Sequence, residues 1–219
     1  MTKYLCYMRH GATELNVADA WQGRADSPLT ELGRRQAAEA GDHIRESALE
    51  FDHIYCSPRG RVVETLQAAL PEIVARGAFE FDLGLLEMSF GEADGMLHAA
   101  DDPKSPYFNL FEKIGGDSES RVEVRICEAA ERFMAADDAH DVLVVSHGTC
   151  GRIFRNHWAE NARVEAPRHL ANCSLYTYEF DEATRGFSLV DIFEPASATN
   201  PEDFIAAPAV RARSPRNAQ

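Results

Sequence analysis

Two histidines in this chain precede a glycine, and each does so at the end of a short apolar run. Residues 3–8 (KYLCYM) lead into Arg9-His10-Gly11, and residues 141–146 (DVLVVS) lead into His147-Gly148. One His-Gly in a chain with eight histidines carries little weight. Its company carries more: Arg61 lies in the run SPRGRVVET and Glu87 in LLEMSFG, each again beyond a predicted strand. Arg9 and Arg61 suit phosphate oxygens, because a guanidinium offers a planar fork of donors and stays charged at any physiological pH. An imidazole, with a reference pKa of ~6.5, is available near neutrality in its unprotonated form. The glycines beside the two histidines let backbone approach a ligand closely. Hydrolysis of a phosphomonoester is among the slowest uncatalysed reactions, accelerated up to ~10^21-fold by enzymes, and most of that gain comes from positioning and charge stabilisation. A positive pocket is the first requirement, and Arg9 with Arg61 can supply it.

The elements that must position these residues alternate between strand and helix. Thr30 is the expected N-cap of a helix through Leu32, Gln36, Ala37, Ala40, Ile44 and Ala48. A strand near 52–56 enters Ser57-Pro58, and the proline suits the start of a helix through Val62, Leu66 and Leu70. Residues 119–136 place Val122, Ile126, Ala129, Ala130 and Phe133 on one face of a long amphipathic helix. A further helix is expected over 150–160, and the alternating runs 173–180 and 187–193 read as strands that close one sheet edge. This rhythm predicts an α/β fold, three layers (α/β/α) with a mostly parallel central sheet and one antiparallel edge strand. Ligands bind at the carboxyl edge of such sheets, where both His-Gly steps fall. We read one domain over 1–194. Residues 97–117 lack a period, contain Pro103, Pro106 and Gly115-Gly116, and form a lid-like insertion, while 195–219 is expected as a peripheral or mobile tail.

Composition narrows the partners. The 22 Lys and Arg against 36 Asp and Glu leave a formal charge of −14, which repels nucleic acid and anionic membrane surfaces. The five cysteines are scattered without a C-x-x-C pair, which suits neither a disulfide framework nor a zinc site. With no basic-then-apolar leader and no long apolar window, a cytoplasmic location is expected. Asp101-Asp102 and Asp137-Asp138 lack a cation-binding loop pattern, and neither H-E-x-x-H nor G-x-x-x-x-G-K-[ST] occurs, so no metal and no cofactor are predicted. His43, His53, His140, His157 and His169 have no motif company and are assigned to surface or buried structural roles.

Six blocks in order, RHGATELN with QGRADSPLTELGRRQA, SPRGRVVET, LLEMSFGEADG, GGDSESRVEVR, VLVVSHG and NCSL, run from about residue 3 to about 178. In them the sequence resembles the histidine phosphatase superfamily, branch 1, the phosphoglycerate mutase-like proteins. The resemblance implies the same mostly parallel sheet flanked by helices. It also implies that His10 is the nucleophile forming a phosphohistidine, that Glu87 is the acid protonating the leaving oxygen, and that His147 donates to the equatorial oxygens of the transferring group. By the same likeness Asn16, Gln22 and Gly23 line the phosphate pocket, with Gly148 beside His147.

Departures from the family pattern bear on specificity. Ala12 stands where many relatives have Glu or Gln, and Asp117 where the GG-E-S pattern has Glu. His98 occupies the place of the substrate-gripping lysine of the glycolytic mutases, Phe90 replaces their tyrosine, and their tandem arginines are not visible between 97 and 117. The expected activity is a metal-independent phosphatase acting on a small phosphorylated metabolite, as monomer or homodimer. The alternatives are a phosphoglycerate mutase and a non-catalytic phosphate-binding module.

Overall fold

Side-chain alternation along the strands decides the layers. In β1 (Lys3–Arg9), Leu5 and Tyr7 enter one buried core while Cys6 and Met8 enter the other. In β4 (Asp141–Ser146), Val142 and Val144 join the first and Leu143 and Val145 the second. A strand buried on both faces must read as a continuous apolar run, which is why neither strand alternates in polarity. The computed structural model describes residues 2–97 and 111–199.

The sheet has six strands in the order β3-β2-β4-β1-β5-β6, where β2 is His53–Cys56, β3 is Glu80–Phe81, β5 is Leu175–Asp181 and β6 is Gly186–Phe193. β1, β2, β3 and β4 pair in parallel. The antiparallel contribution lies at one edge: β5 runs against β1, and β6 returns beside β5 through the expected 181–186 turn.

The two cores separate two helical layers. α2 (Glu31–Glu46) and α3 (Gly60–Ala69) bury Ala37, Ala40, Ile44, Val62, Leu66 and Ala69 on one face of the sheet. α5 (Glu119–Met134) and α6 (Gly148–His157) bury Ile126, Ala129, Ala130, Phe133 and Phe154 on the other. Thr30 caps α2 as expected, its Oγ accepting from Gly33 N at 3.0 Å. The α3 region differs from the expectation. Pro58 precedes the helix, the N-cap is Arg59, and Pro71 divides the run into α3 and a short α4 (Pro71–Arg76), because a proline nitrogen cannot donate to a continuing helix. A four-residue α1 (Glu14–Val17), capped by Thr13, and the two-residue β3 are too short to leave a periodic signal.

Within the segment expected as a lid, residues 98–110 lie outside the described residues, His98 among them. The remainder carries a short 3-10 helix, Phe111–Ile114. Of the expected tail, residues 195–199 lie against α2: Gln36 Nε2 donates to Ser197 O at 2.8 Å, and Ser197 N donates to Glu39 Oε2 at 3.0 Å. Residues 200–219 lie outside the described residues. No helix among the described residues is long and apolar enough to cross a membrane.

Candidate active site

The carboxyl ends of β1 and β4 are adjacent, so Arg9-His10 and His147-Gly148 meet without any special device. A cavity of about 850 Å³ opens there, lined by Arg9, His10, Asn16, Gln22, Gly23, Arg61, Glu87 and Gly148 among others. Of the candidate site residues picked from the sequence that are described, all but His147 line it; His98 lies outside the described residues.

Neighbours hold His10 in one tautomer. Its Nδ1 lies 2.8 Å from the carbonyl oxygen of Gly11, and a carbonyl can only accept, so Nδ1 carries the proton and Nε2 keeps its lone pair. The backbone around it is pinned by buried side chains. Asn172 Nδ2 donates to His10 O, Thr65 Oγ1 accepts from Gly11 N, and Gln36 Oε1 accepts from Ala12 N, all within 2.9–3.0 Å. Burial, reinforced by the Arg61 and Arg9 charges, holds the His10 imidazole well below its ordinary pKa. His10 is therefore neutral at neutral pH, as a nucleophile must be.

Arg61 is fully buried and uses four of its five N–H donors internally. Nη1 donates to Ala25 O (2.7 Å) and Asp26 Oδ1 (3.1 Å), and Nη2 donates to Gly23 O (2.8 Å) and His147 Nδ1 (3.0 Å). Only Nε lacks a partner. A buried guanidinium must satisfy its donors, and here two backbone carbonyls, the Asp26 carboxylate and His147 Nδ1 take four of them. Arg9 gives Nη1 to Leu170 O, and its Nε is also unpartnered. Burial lowers the Arg9 pKa to about 10, still charged at neutral pH. A Cβ on Gly148 would stand 3.0 Å from Arg9 Nε, so glycine leaves the Arg9 side chain room beside the backbone.

The bond from Arg61 also decides the state of His147. Nδ1 accepts, so Nε2 carries the proton, and it lies 2.7 Å from Ser57 Oγ. The Tyr7 hydroxyl donates to His147 O at 2.8 Å and accepts from His147 N at 3.2 Å. Both ring nitrogens are committed, and His147 does not line the cavity. In this arrangement His147 buttresses Arg61 through the 3.0 Å bond, and its ring centroid lies 5.4 Å from that of His10; donation to substrate oxygens stays an expectation of the family likeness.

Glu87 sits at the N-terminus of α6. Its Oε1 accepts from Met88 N (2.9 Å) and Cys150 N (3.0 Å), and Oε2 accepts from Thr149 N (3.1 Å). Oε2, with one donor, is the oxygen with room for a proton. Two of the three amide donors, Thr149 N and Cys150 N, belong to the first turn of α6, and the third is the neighbouring Met88 N.

Asn16 closes a capping box with Thr13, its Oδ1 accepting from Thr13 N at 3.1 Å, which leaves its amide NH2 as the group it can offer. Gln22 is tied on both sides, by Thr13 Oγ1 at 3.1 Å and Ser27 Oγ at 3.0 Å. Gly23 adopts φ +49°, and a Cβ there would lie 1.7 Å from Asp94 Oδ1. Ala12 is buried against Gln36 and does not reach the cavity.

Sequence reasoning missed several contributors. Asp26 holds Arg61 and also accepts from Gly60 N at 2.6 Å, capping α3 in place of Arg59. Ser57 Oγ accepts the His147 Nε2 proton at 2.7 Å. At the rim, Trp21, Phe90 and Phe111 form an aromatic cluster with centroids 4.8–5.1 Å apart. Arg152, Arg168 and His169 line the same cavity, so His169, assigned from sequence to a structural role, belongs to the site. Among the described residues no three His, Cys, Asp or Glu side chains gather as a metal-binding group.

The sequence profile of the histidine phosphatase superfamily (branch 1) matches residues 5–192. The chain is 28% identical over 188 residues to a probable phosphoglycerate mutase of Salmonella paratyphi A, covering 80% of this chain and 84% of that protein. Among solved structures it is similar to YhfR of Bacillus stearothermophilus (TM-score 0.73, 24% identity, 91% and 98% of the two chains). It is also similar in fold to a mycobacterial glucosyl-3-phosphoglycerate phosphatase (TM-score 0.70, 22% identity, 89% and 100% of the two chains). With its profile matched over most of its length, and with paired His-Gly steps at the carboxyl edge of a mostly parallel sheet, the chain belongs to the histidine phosphatase superfamily, branch 1.

Proposed function

We propose that this protein is a metal-independent phosphatase that hydrolyses a small phosphomonoester through a phosphohistidine on His10. The observation that carries the reading is the tautomer of His10, whose bond to Gly11 O leaves the Nε2 lone pair as the nucleophile in a cavity flanked by two guanidinium groups. In the first step Nε2 bonds to phosphorus and the ester P–O bond breaks, its oxygen taking the proton from Glu87 Oε2. In the second step water attacks the phosphohistidine, Glu87 recovers a proton from that water, and the P–N bond breaks to release phosphate and free His10. Arg9 and Arg61 neutralise the transferring group with fixed charge, the role a metal plays in other phosphatases.

Splitting the displacement in two is useful only if the intermediate forms. Incubation with 32P-labelled substrate followed by an alkaline quench should trap a base-stable, acid-labile label on His10, absent in His10→Ala. Label on serine or aspartate refutes the reading, as does activity abolished by EDTA and restored by magnesium or zinc.

Similarity to the probable phosphoglycerate mutase of Salmonella supports a second reading, a phosphoglycerate mutase. The rim of Trp21, Phe90 and Phe111 is apolar, but Arg152 and Arg168 line the same cavity and suit a carboxylate, so the lining does not discriminate between the two readings. The two readings separate on product: free phosphate for a phosphatase, an isomerised phosphoglycerate for a mutase.

A further inference from the structure

We propose that Arg24 is a positioning residue for the proton-donating carboxyl of Glu87, held in place by Asp117; this rests on the phosphatase reading above. Arg24 does not line the cavity, so any influence on the reaction must pass through its partners. Its Nε donates to the carbonyl oxygen of Glu87 at 2.9 Å. That carbonyl belongs to the same peptide group as Met88 N, which donates to Glu87 Oε1 at 2.9 Å. Arg24 therefore clamps one end of a planar unit whose other end grips the carboxylate, and tilting that plane moves the N–H away from Oε1.

The guanidinium is fixed in turn by its fork geometry. Arg24 Nη2 bonds Asp117 Oδ2 at 3.0 Å, and the same oxygen accepts from Ser89 N at 2.9 Å. Asp117 N donates to Ser89 O at 2.8 Å. Arg125 of α5 holds the preceding carbonyls of Gly84 and Leu86 at 2.7 and 2.6 Å, which leaves the Glu87 carbonyl to Arg24. Residues 87–89 are thus pinned to the Gln22-Gly23 loop on one side and to the Gly115-Gly116 turn on the other. Arg24 and Asp117 are both partly exposed, at 31% and 24%, so the pair acts through geometry more than through the strength of its charge interaction. Asp117 stands at the position where the family pattern has glutamate, and its shorter side chain meets both Arg24 and Ser89 N.

The test is kinetic and uses a series of phosphomonoesters from alkyl to nitrophenyl, with wild type, Arg24→Met, Arg24→Lys, Asp117→Asn, Glu87→Gln and Arg24→Met/Glu87→Gln. If Arg24 positions the acid, Arg24→Met lowers kcat for alkyl esters by about 10- to 100-fold and for nitrophenyl esters by less than about three-fold, because only poor leaving groups need the proton. Arg24→Lys keeps the charge but cannot span both partners, so it should not restore the alkyl rate. Asp117→Asn should show the same leaving-group dependence to a smaller degree and provides the comparison should Arg24→Met fold poorly. In the Glu87→Gln background, Arg24→Met should add less than about two-fold. Equal losses on alkyl and aryl esters in Arg24→Met, or full additivity with Glu87→Gln, overturns the assignment of Arg24 alone. A Glu87→Gln enzyme without leaving-group dependence removes the acid itself and the proposal with it.

Discussion

Asp26→Ala is the substitution whose consequences the structure specifies most fully. The carboxylate makes three bonds, to Gly60 N, Arg61 N and Arg61 Nη1, at 2.6, 3.3 and 3.1 Å. Two effects follow from its loss. The N-terminus of α3 loses its cap, which costs about 1 kcal/mol. The fully buried Arg61 guanidinium loses a charge-assisted bond, which costs about 1.5–3 kcal/mol. Asp26 is 37% exposed, so solvent already screens part of the attraction and the lower half of that range applies, for a total of about 2–3 kcal/mol. For a chain of this size that corresponds to a fall in Tm of about 4–12 °C. Activity should fall by about 10- to 100-fold, because Arg61 can drift from the position in which it orients His147 and lines the cavity. Thermal unfolding and kcat/KM should be measured for Asp26→Ala, Arg61→Met and the double variant. In the Arg61→Met background, Asp26→Ala should cost only the cap term. An equal loss of stability in both backgrounds means that Asp26 acts as a cap alone and the reasoning about Arg61 fails.

Burial, with Arg61 beside each ring, pushes the pKa of both His10 and His147 well below the ordinary value. The unfolded chain takes up protons on both as pH falls through ~6.5 while the folded chain does not, so stability declines below that pH by about 1–3 kcal/mol per unit for the pair. Melting curves from about pH 5 to about pH 7.5 check this, and a slope that His10→Gln and His147→Gln leave intact refutes it. Ser57→Ala strands the His147 Nε2 proton in a fully buried site and should destabilise the fold by about 1–3 kcal/mol, with Ser57→Thr recovering much of the loss; equal melting temperatures for all three proteins would refute this role of the hydroxyl.

Periodicity and motif order carried the architecture. The apolar runs of β1 and β4, the 3.6-residue pattern of α5 and the Thr30 cap are local properties, written in residues within a few positions of one another, and each reappears where the sequence places it. The meeting of Arg9, His10, Arg61, Glu87 and Gly148 at one cavity was likewise legible, since parallel strands bring their carboxyl ends to one edge. What the sequence by itself could not determine is which atoms face which. The tautomers of His10 and His147 depend on a carbonyl, a hydroxyl and a guanidinium, and Ser57 and Arg61 lie 90 and 86 residues before the histidine they orient. The occupation of Arg61 by Ala25, Asp26 and Gly23, and the place of Arg24 behind Glu87, are of the same kind. Hydrogen bonds fade within a few tenths of an ångström and tens of degrees, so they are decided only after distant segments have packed. Local hydrophobic pattern selects the layers; donor and acceptor geometry, set by the tertiary structure, selects the chemistry the layers can hold.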